Sequence, residues 1–237
     1  YYCTDLNVLR DIIDDNNIIS VNDELDLGTQ VWTNGRLISL EMEFESLTTI
    51  PETIGNISEI TSLNINQNNV TQLPESISSL VNLITLKIGY NSLTTLPNGL
   101  WDLSMLVTLQ INNNQLTEIP QTINGLLSVE EINLSGNQLS TLPASLGDLS
   151  AVTTLNASGN IITGEILNSE YGDITNDGGT VMFSFENKAF VFLTNGLRLN
   201  DTNWRFFVLA MVVLSCSCFF SCSGSHSSEG SSVGLSS

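Results

Sequence analysis

The chain repeats itself at a fixed interval of 23 residues. All five prolines follow Leu or Ile at this interval, and a series of asparagines keeps the same spacing. A lone amphipathic segment does not reproduce a fixed long period, which instead predicts a solenoid of stacked copies of one short unit. The prolines are Pro51, Pro74, Pro97, Pro120 and Pro143, and the asparagines are Asn68, Asn91, Asn114, Asn137 and Asn160.

The repeated unit has a common apolar pattern, Leu83-x-x-Leu86-x-Ile88-x-x-Asn91-x-Leu93-x-x-Leu96-Pro97 in its clearest copy. This pattern resembles the leucine-rich repeat, and the resemblance covers about residues 37–167. It implies an α/β solenoid, a right-handed coil of five to six repeats with short parallel strands on its concave face. The other units open at Leu37, Ile60, Leu106, Val129 and Val152, the first with Glu45 in place of the asparagine.

The residue types of the unit suit such a coil. Alternating apolar positions place side chains on one side of a short extended segment. A buried asparagine amide both donates and accepts, so it satisfies backbone groups that the bend after the strand leaves unpaired. Proline suits the return arc because it fixes φ and has no N–H to lose. We therefore expect Ile77, Leu100, Ile123 and Leu146, three residues after each proline, to point back into the core.

Both ends of a stack of repeats need caps. We predict an N-terminal cap over residues 1–36, with an amphipathic helix at residues 5–20. We predict a C-terminal cap over residues 168–205, in which Val181–Phe185 and Ala189–Leu193 are typical of a β-hairpin. The apolar residues at helical spacing are Leu6, Leu9, Ile12 and Ile13.

Residues 206–220 form the most apolar run of the chain. Fifteen helical residues rise about 22 Å, which is less than the roughly 30 Å of a bilayer core. We therefore favour a capping segment or a non-native end of the sequence over a membrane span, which stays the alternative. Residues 221–237 are rich in Ser and Gly and are predicted to be disordered.

The charge of the chain restricts its partners. Six basic and 25 acidic residues give a formal net charge of −19, so nucleic acid and anionic membrane surfaces would be repelled. The one histidine, His226, belongs to the serine-rich tail, so no imidazole relay or imidazole metal site is expected in the folded part. We therefore expect a protein that is not an enzyme and that needs no metal or cofactor.

Function is then expected on the surface that the coil repeats. Leucine-rich repeat proteins commonly bind other proteins through the concave face, and the resemblance implies a protein or peptide ligand here. Phe44 and Tyr90, at strand edges, are the best aromatic anchors. The predicted binding residues are Glu41, Glu43, Phe44, Asn64, Asn66, Thr85, Lys87, Tyr90, Thr108, Gln110, Asn112, Glu131, Asn133 and Asn156.

A structural or adhesive surface protein is the alternative function. The neutral amides and hydroxyls of the same face suit a glycan, and a hydroxyl ladder after each strand could order water, with ice binding as a minor variant. Because the chain begins with Tyr1 and not Met, we expect a processed product or a fragment. We expect an extracellular or cell-surface protein, with the cytoplasm as the alternative. The ladder is Thr48, Thr71, Thr94, Thr117, Ser140 and Thr163.

Overall fold

The repeats contribute one short strand each to a sheet. The computed structural model describes residues 1–162 and, beyond them, the strands between residues 175 and 198. Side chains are described for residues 1–162. The helix and strands are α1 (Cys3–Asn16), β1 (Thr29–Thr33), β2 (Arg36–Glu41), β3 (Ser62–Asn64), β4 (Thr85–Lys87), β5 (Thr108–Gln110), β6 (Glu131–Asn133), β7 (Thr154–Asn156), β8 (Thr175–Gly178), β9 (Val181–Phe185), β10 (Ala189–Leu193) and β11 (Gly196–Arg198).

The strands of the repeats are parallel and in register. The main sheet has the order β1-β2-β3-β4-β5-β6-β7-β10-β9, with β2 to β7 parallel. Residues one repeat apart are direct neighbours, as where Leu63 pairs with Leu86 and Leu86 with Leu109. β1 pairs with β2 in an antiparallel hairpin. The α/β solenoid predicted from the repeat period is thereby confirmed.

The apolar positions of the repeat form one continuous core. Leu63, Leu86 and Leu109, in the middle of successive strands, are fully buried. Because each column of leucines is shared between neighbouring turns, a repeat buries its apolar side chains only with its neighbours in place. The side chains three residues after the prolines are buried as predicted, namely Ile77, Leu100, Ile123 and Leu146.

Each proline precedes a short 3₁₀ turn. Pro74 has φ −70° and ψ 151°, an extended conformation, and the turn Glu75–Ser79 begins directly after it. Successive turns stack on one another along the coil. Proline thus provides the extended entry to the return arc, as the sequence predicts. The other turns are Glu52–Asn56, Asn98–Asp102, Gln121–Gly125 and Ala144–Asp148.

The repeated asparagine satisfies the backbone at each bend. Asn114 Oδ1 accepts from the backbone N–H of Leu93 at 3.0 Å, in the preceding repeat. Its Nδ2 donates to the carbonyl of Ile88 at 3.0 Å, also in the preceding repeat, and to that of Ile111 at 3.1 Å in its own. Asn68, Asn91, Asn137 and Asn160 bond in the same way. One amide therefore joins the bend of each repeat to the turn before it.

The first repeat has Glu45 at the asparagine position, and an amide of α1 bonds to its backbone. Asn16, the last residue of α1, accepts from the backbone N–H of Thr48 at 2.7 Å and of Thr49 at 3.1 Å. Its Nδ2 donates to the carbonyl of Thr49 at 3.0 Å. The helix ends here because Asn17 adopts the left-handed conformation, with φ 52°. The predicted helix is confirmed with an earlier end than expected, and its role as a cap stays a prediction.

A buried ion pair also ties α1 to the sheet. Asp5 is fully buried and accepts from Arg36 Nε at 2.9 Å, Arg36 Nη2 at 3.1 Å and the backbone N–H of Leu37 at 2.9 Å. These hydrogen bonds raise the pKa of the Arg36 guanidinium above its ordinary value. The guanidinium also lies 4.9 Å from the centre of the Tyr2 ring. Residues distant in sequence thus fix the helix against β2.

Two strands beyond the repeats extend the sheet. β9 and β10 pair in an antiparallel hairpin at the predicted residues, and β10 pairs in parallel with β7. β8 pairs with β11 in a second, two-stranded sheet. The capping role of residues 168–205 stays a prediction, as do the domain boundaries. The apolar segment 206–220 and the tail 221–237 lie outside the described residues.

The part of the chain that the structure describes contains no helix of the length and apolarity needed to cross a bilayer.

We expect Asn68→Ala to lower the unfolding free energy by about 1–3 kcal/mol, because it leaves buried backbone groups unpaired. Asn68 is 8% exposed and bonds to Met42 and Leu47 of the preceding repeat. The neighbouring Asn69 is exposed, so Asn69→Ala is the matched control, with an expected change within about 0.5 kcal/mol. Urea denaturation measures both, and equal effects would contradict the role of the amide.

Arg36→Gln should lower the unfolding free energy by about 3–5 kcal/mol, because it leaves the buried Asp5 carboxylate without its counter-ion. The control is Arg10→Gln. Arg10 pairs with Glu24 but its side chain is 55% exposed, so its loss should cost about 0–1 kcal/mol. If the two variants unfold at the same urea concentration, the buried pair does not fix α1.

Candidate binding surface

The register of the sheet aligns most of the predicted binding residues in rows across the strands. One row follows the third position of each strand, where Lys87 lies between Asn64 and Gln110. A second row, two residues earlier, joins Thr85, Thr108 and Glu131. Neighbouring strands lie about 4.8 Å apart, so each row is a ladder with one side chain per step. The first row in full is Glu41, Asn64, Lys87, Gln110, Asn133 and Asn156.

The exposure of these residues is uneven. Glu41, Glu43 and Glu131 are exposed and most of the others are half-buried, but Asn64 and Asn112 are buried, with 7% and 9% of their surface exposed. The expectation that these two asparagines face solvent is therefore corrected. The amide of Asn112 lies against Gly89, which follows β4 in the preceding repeat. A Cβ added to Gly89 would come within 2.6 Å of Asn112 Oδ1.

A hydrogen-bond network holds the first repeats of this surface in place. Glu43 Oε1 accepts from Asn64 Nδ2 at 3.0 Å and from Asn66 Nδ2 at 3.2 Å. Asn66 Oδ1 in turn accepts from the backbone N–H of Gly89 at 2.6 Å. The carboxylate of Glu43 is thus fixed by two amides from the next strand. Asn64 and Asn66 serve to position this group.

Lys87 is the cation of the surface, and it forms no ion pair in the part of the chain that the structure describes. Within residues 1–162 the basic side chains are Arg10, Arg36 and Lys87. Arg10 pairs with Glu24, and Arg36 pairs with Asp5 and Glu59. Among the described residues no carboxylate lies within 4.0 Å of the Lys87 ammonium. Its charge is therefore available to a ligand at the middle of the sheet.

A left-handed backbone position follows each strand, and sequence reasoning missed it. Phe44 has φ 61° and Tyr90 has φ 54°, where only glycine is free of steric cost. The conformation continues the ladder around the bend, since the N–H of Tyr90 donates to the carbonyl of Asn112 at 2.8 Å. The signal was present in the sequence, because two repeats carry glycine there. The series is Phe44, Gln67, Tyr90, Asn113, Gly136 and Gly159.

Two of these positions present exposed aromatic rings. Phe44 is 68% exposed and Tyr90 is 55% exposed. Bulky residues in the left-handed region are outliers, and such outliers concentrate at functional sites. A ring that is exposed at a strained position contributes little to folding. Phe44 and Tyr90 therefore form an aromatic rim along one edge of the polar rows.

The predicted hydroxyl ladder is also exposed on the outside of the coil. Thr48, Thr71, Thr94, Thr117 and Ser140 are exposed, and Thr163 lies outside the described residues. The regular spacing of these hydroxyls follows from the repeat period alone. A role in ordering water therefore stays a prediction.

Comparison with known proteins agrees with this geometry. No functionally curated protein matches the sequence. The family model of the leucine rich repeat matches residues 58–116 and 106–162, which are the repeats that carry the asparagine ladder. Residues 58–162 of this chain are leucine-rich repeats.

The chain is similar in fold to plant receptor ectodomains. The BIR2 ectodomain from Arabidopsis thaliana is 22% identical with a TM-score of 0.55, over 67% of this chain and 93% of that one. A chain in the complex of the Arabidopsis receptor kinase HAESA with the peptide hormone IDA and the co-receptor SERK1 is 23% identical with a TM-score of 0.59, over 68% of this chain and 30% of that one.

A third similar structure is the leucine-rich repeat ectodomain of the Arabidopsis membrane receptor kinase GASSHO1/SCHENGEN3, in complex with CASPARIAN STRIP INTEGRITY FACTOR 2. Identity is 24% and the TM-score 0.53, over 64% of this chain and 23% of that one. This chain therefore spans less than a third of the matched chains in the HAESA and GASSHO1 complexes. At such identities the likeness concerns the fold.

We expect Tyr90→Asn to change the unfolding free energy by less than about 1 kcal/mol, because asparagine tolerates the left-handed conformation and replaces a half-exposed ring. Asn113 already occupies this position in the next repeat. Tyr90→Val should be less stable than Tyr90→Asn by at least about 1 kcal/mol, since a β-branched residue resists this conformation. Equal stabilities of the two variants in urea would show that the position carries no strain.

Proposed function

We propose that this chain is a non-enzymatic recognition module that binds a protein or peptide through the concave face. By the concave face we mean the outward side chains of β2 to β7 together with the aromatic rim of Phe44 and Tyr90. The observation that carries the proposal is Lys87, which forms no ion pair within the described residues, at the centre of a preorganised polar surface and beside exposed rings at strained positions. These are features that folding alone does not require.

The similar structures support a protein or peptide ligand. HAESA was solved with a peptide hormone and a co-receptor, and GASSHO1/SCHENGEN3 with CASPARIAN STRIP INTEGRITY FACTOR 2. Both share the fold of stacked repeats with this chain. Since BIR2 and GASSHO1/SCHENGEN3 are described as ectodomains, we also propose an extracellular or cell-surface location.

The surface chemistry supports a ligand that is bound by polar contacts around a few anchors. Tyrosine and phenylalanine are the side chains here that concentrate binding energy, and they lie at the edge of the rows. The side chains of Gln110 and Asn156 are partly exposed along the rows. Amides that both donate and accept suit the backbone groups of an extended peptide.

The proposal predicts that Gln110→Trp blocks binding without unfolding the protein. Gln110 is half-buried at the centre of the first row, and a strand accepts tryptophan readily. Peptides selected from a random display library on the immobilised parent protein provide the probes. Gln110→Trp should raise their Kd at least about tenfold, or about 1.4 kcal/mol.

Thr117→Trp is the matched control, because Thr117 is exposed in the same repeat but outside the strand. It should leave the Kd of the selected peptides unchanged. Peptides that ignore Gln110→Trp, or that lose affinity equally in both variants, would contradict binding at the concave face. A glycan array run in parallel tests the adhesive alternative. Glycan binding that Gln110→Trp abolishes, with no peptide selected, would replace the proposal.

A further inference from the structure

The charges of the concave face alternate in sign along the coil. β2 presents Glu41, with Glu43 directly after it, β4 presents Lys87, and β6 presents Glu131. The outward side chains of the intervening β3 and β5 are neutral. A ligand that crosses the strands therefore meets negative, positive and negative charge at every second strand.

The interval between these charges is set by the sheet. Two strand spacings amount to about 9.6 Å. Glu41 and Lys87 lie in the same row, two strands apart, and Glu131 lies two strands further in the neighbouring row. The aromatic rim has the same interval, because Phe44 and Tyr90 occupy equivalent positions two repeats apart. The Glu41–Lys87 pair and the aromatic pair thus share one interval, and Glu131 continues it across the strands with an added offset of two residues, about 7 Å, along its strand.

One peptide conformation matches this period. A polyproline II helix has three residues per turn and rises about 3.1 Å per residue, so every third side chain returns to the same face after about 9.3 Å. In a β-strand, residues three apart point to opposite faces, so a flat strand cannot present them together. Polyproline II also leaves its backbone groups free for the amides of the rows, and its prolines pack against aromatic rings.

We propose that the concave face binds a proline-rich peptide in the polyproline II conformation, with basic, acidic and basic residues at positions i, i+3 and i+6. The acidic residue faces Lys87, and the basic residues face Glu41 with Glu43 and Glu131. This rests on the proposed function and specifies its ligand. Lys87 makes the surface selective for the order of charges in the peptide, because a uniformly acidic face would bind any cationic peptide.

Three synthetic peptides with a terminal fluorophore test the inference by fluorescence anisotropy at about 0.15 M salt. The matching peptide has the core Lys-Pro-Pro-Glu-Pro-Pro-Lys. The core Lys-Pro-Pro-Lys-Pro-Pro-Glu has the same composition and net charge in another order, and Lys-Gly-Ser-Glu-Gly-Ser-Lys keeps the charges on a flexible backbone. The matching peptide should bind at least tenfold more tightly than either control.

Variants of Lys87 and Tyr90 test the named contacts. Lys87→Gln should weaken the matching peptide about tenfold, whereas Thr94→Glu, an exposed change in the same repeat with the same net charge, should not. With Lys87→Glu, a fourth peptide with the core Lys-Pro-Pro-Lys-Pro-Pro-Lys should bind more tightly than the matching peptide. Tyr90→Asn should weaken the proline peptide and leave the flexible one unchanged.

Equal affinity for the matching and reordered peptides would overturn the inference, as would equal affinity for the proline and flexible peptides. Loss of binding in Thr94→Glu to the same extent as in Lys87→Gln would reduce the effect to net charge. If none of the three peptides binds while library-selected peptides remain sensitive to Gln110→Trp, this ligand is wrong and the proposed function stands.

Discussion

The buried asparagine amide is the interaction on which the coil depends. In each repeat that carries it, its oxygen accepts from a backbone N–H of the preceding turn, and its nitrogen donates to carbonyls of both turns. The bend after the strand would otherwise leave these groups unpaired among leucines, where each costs about 1–3 kcal/mol. The same amide closes the bend and joins the turns. The bend of one repeat and the stacking of two repeats therefore depend on the same hydrogen bonds.

The asparagine amides also determine the geometry of the concave face. The amides lock neighbouring turns in register, so outward side chains recur at the strand spacing whatever their chemistry. A rigid surface of this kind would lose little conformational entropy on binding a ligand, because its residues are already ordered when the protein folds. The Glu43 network extends this order to a charged group. Specificity then depends on which side chains occupy this surface.

The fold could be predicted from the sequence because its main interactions lie within one repeat or between adjacent copies. The strands, the buried asparagines and the extended prolines all follow from a pattern that recurs several times. The contacts of α1 follow no such pattern: nothing near Asp5 or Asn16 in sequence points to Arg36 or to Thr48, which pack against them. Interactions made once, between distant residues, leave no period to recognise.

The sequence predicts the alternation of side chains on the candidate surface, but not which of them are buried. Strand alternation places Asn64 and Asn112 on the outer face, yet lateral contacts bury them, and the burial of Asn112 depends on Gly89 one strand away. The left-handed positions were not predicted because Phe44 and Tyr90, which occupy two of them, are residue types that rarely adopt this conformation. Gly136 and Gly159 at the same register were the available clue. The charge alternation becomes visible only when the register is known.

The left-handed series carries different side chains on one backbone conformation. It holds rings at Phe44 and Tyr90, amides at Gln67 and Asn113, and glycine at Gly136 and Gly159. Since that conformation is maintained by main-chain bonds, the side chain can be exchanged at small cost to the core. Each turn of the coil therefore offers one position for a new contact, but at Gly136 the Asn113 side chain would first have to move, because an added Cβ would lie 2.5 Å from its Oδ1.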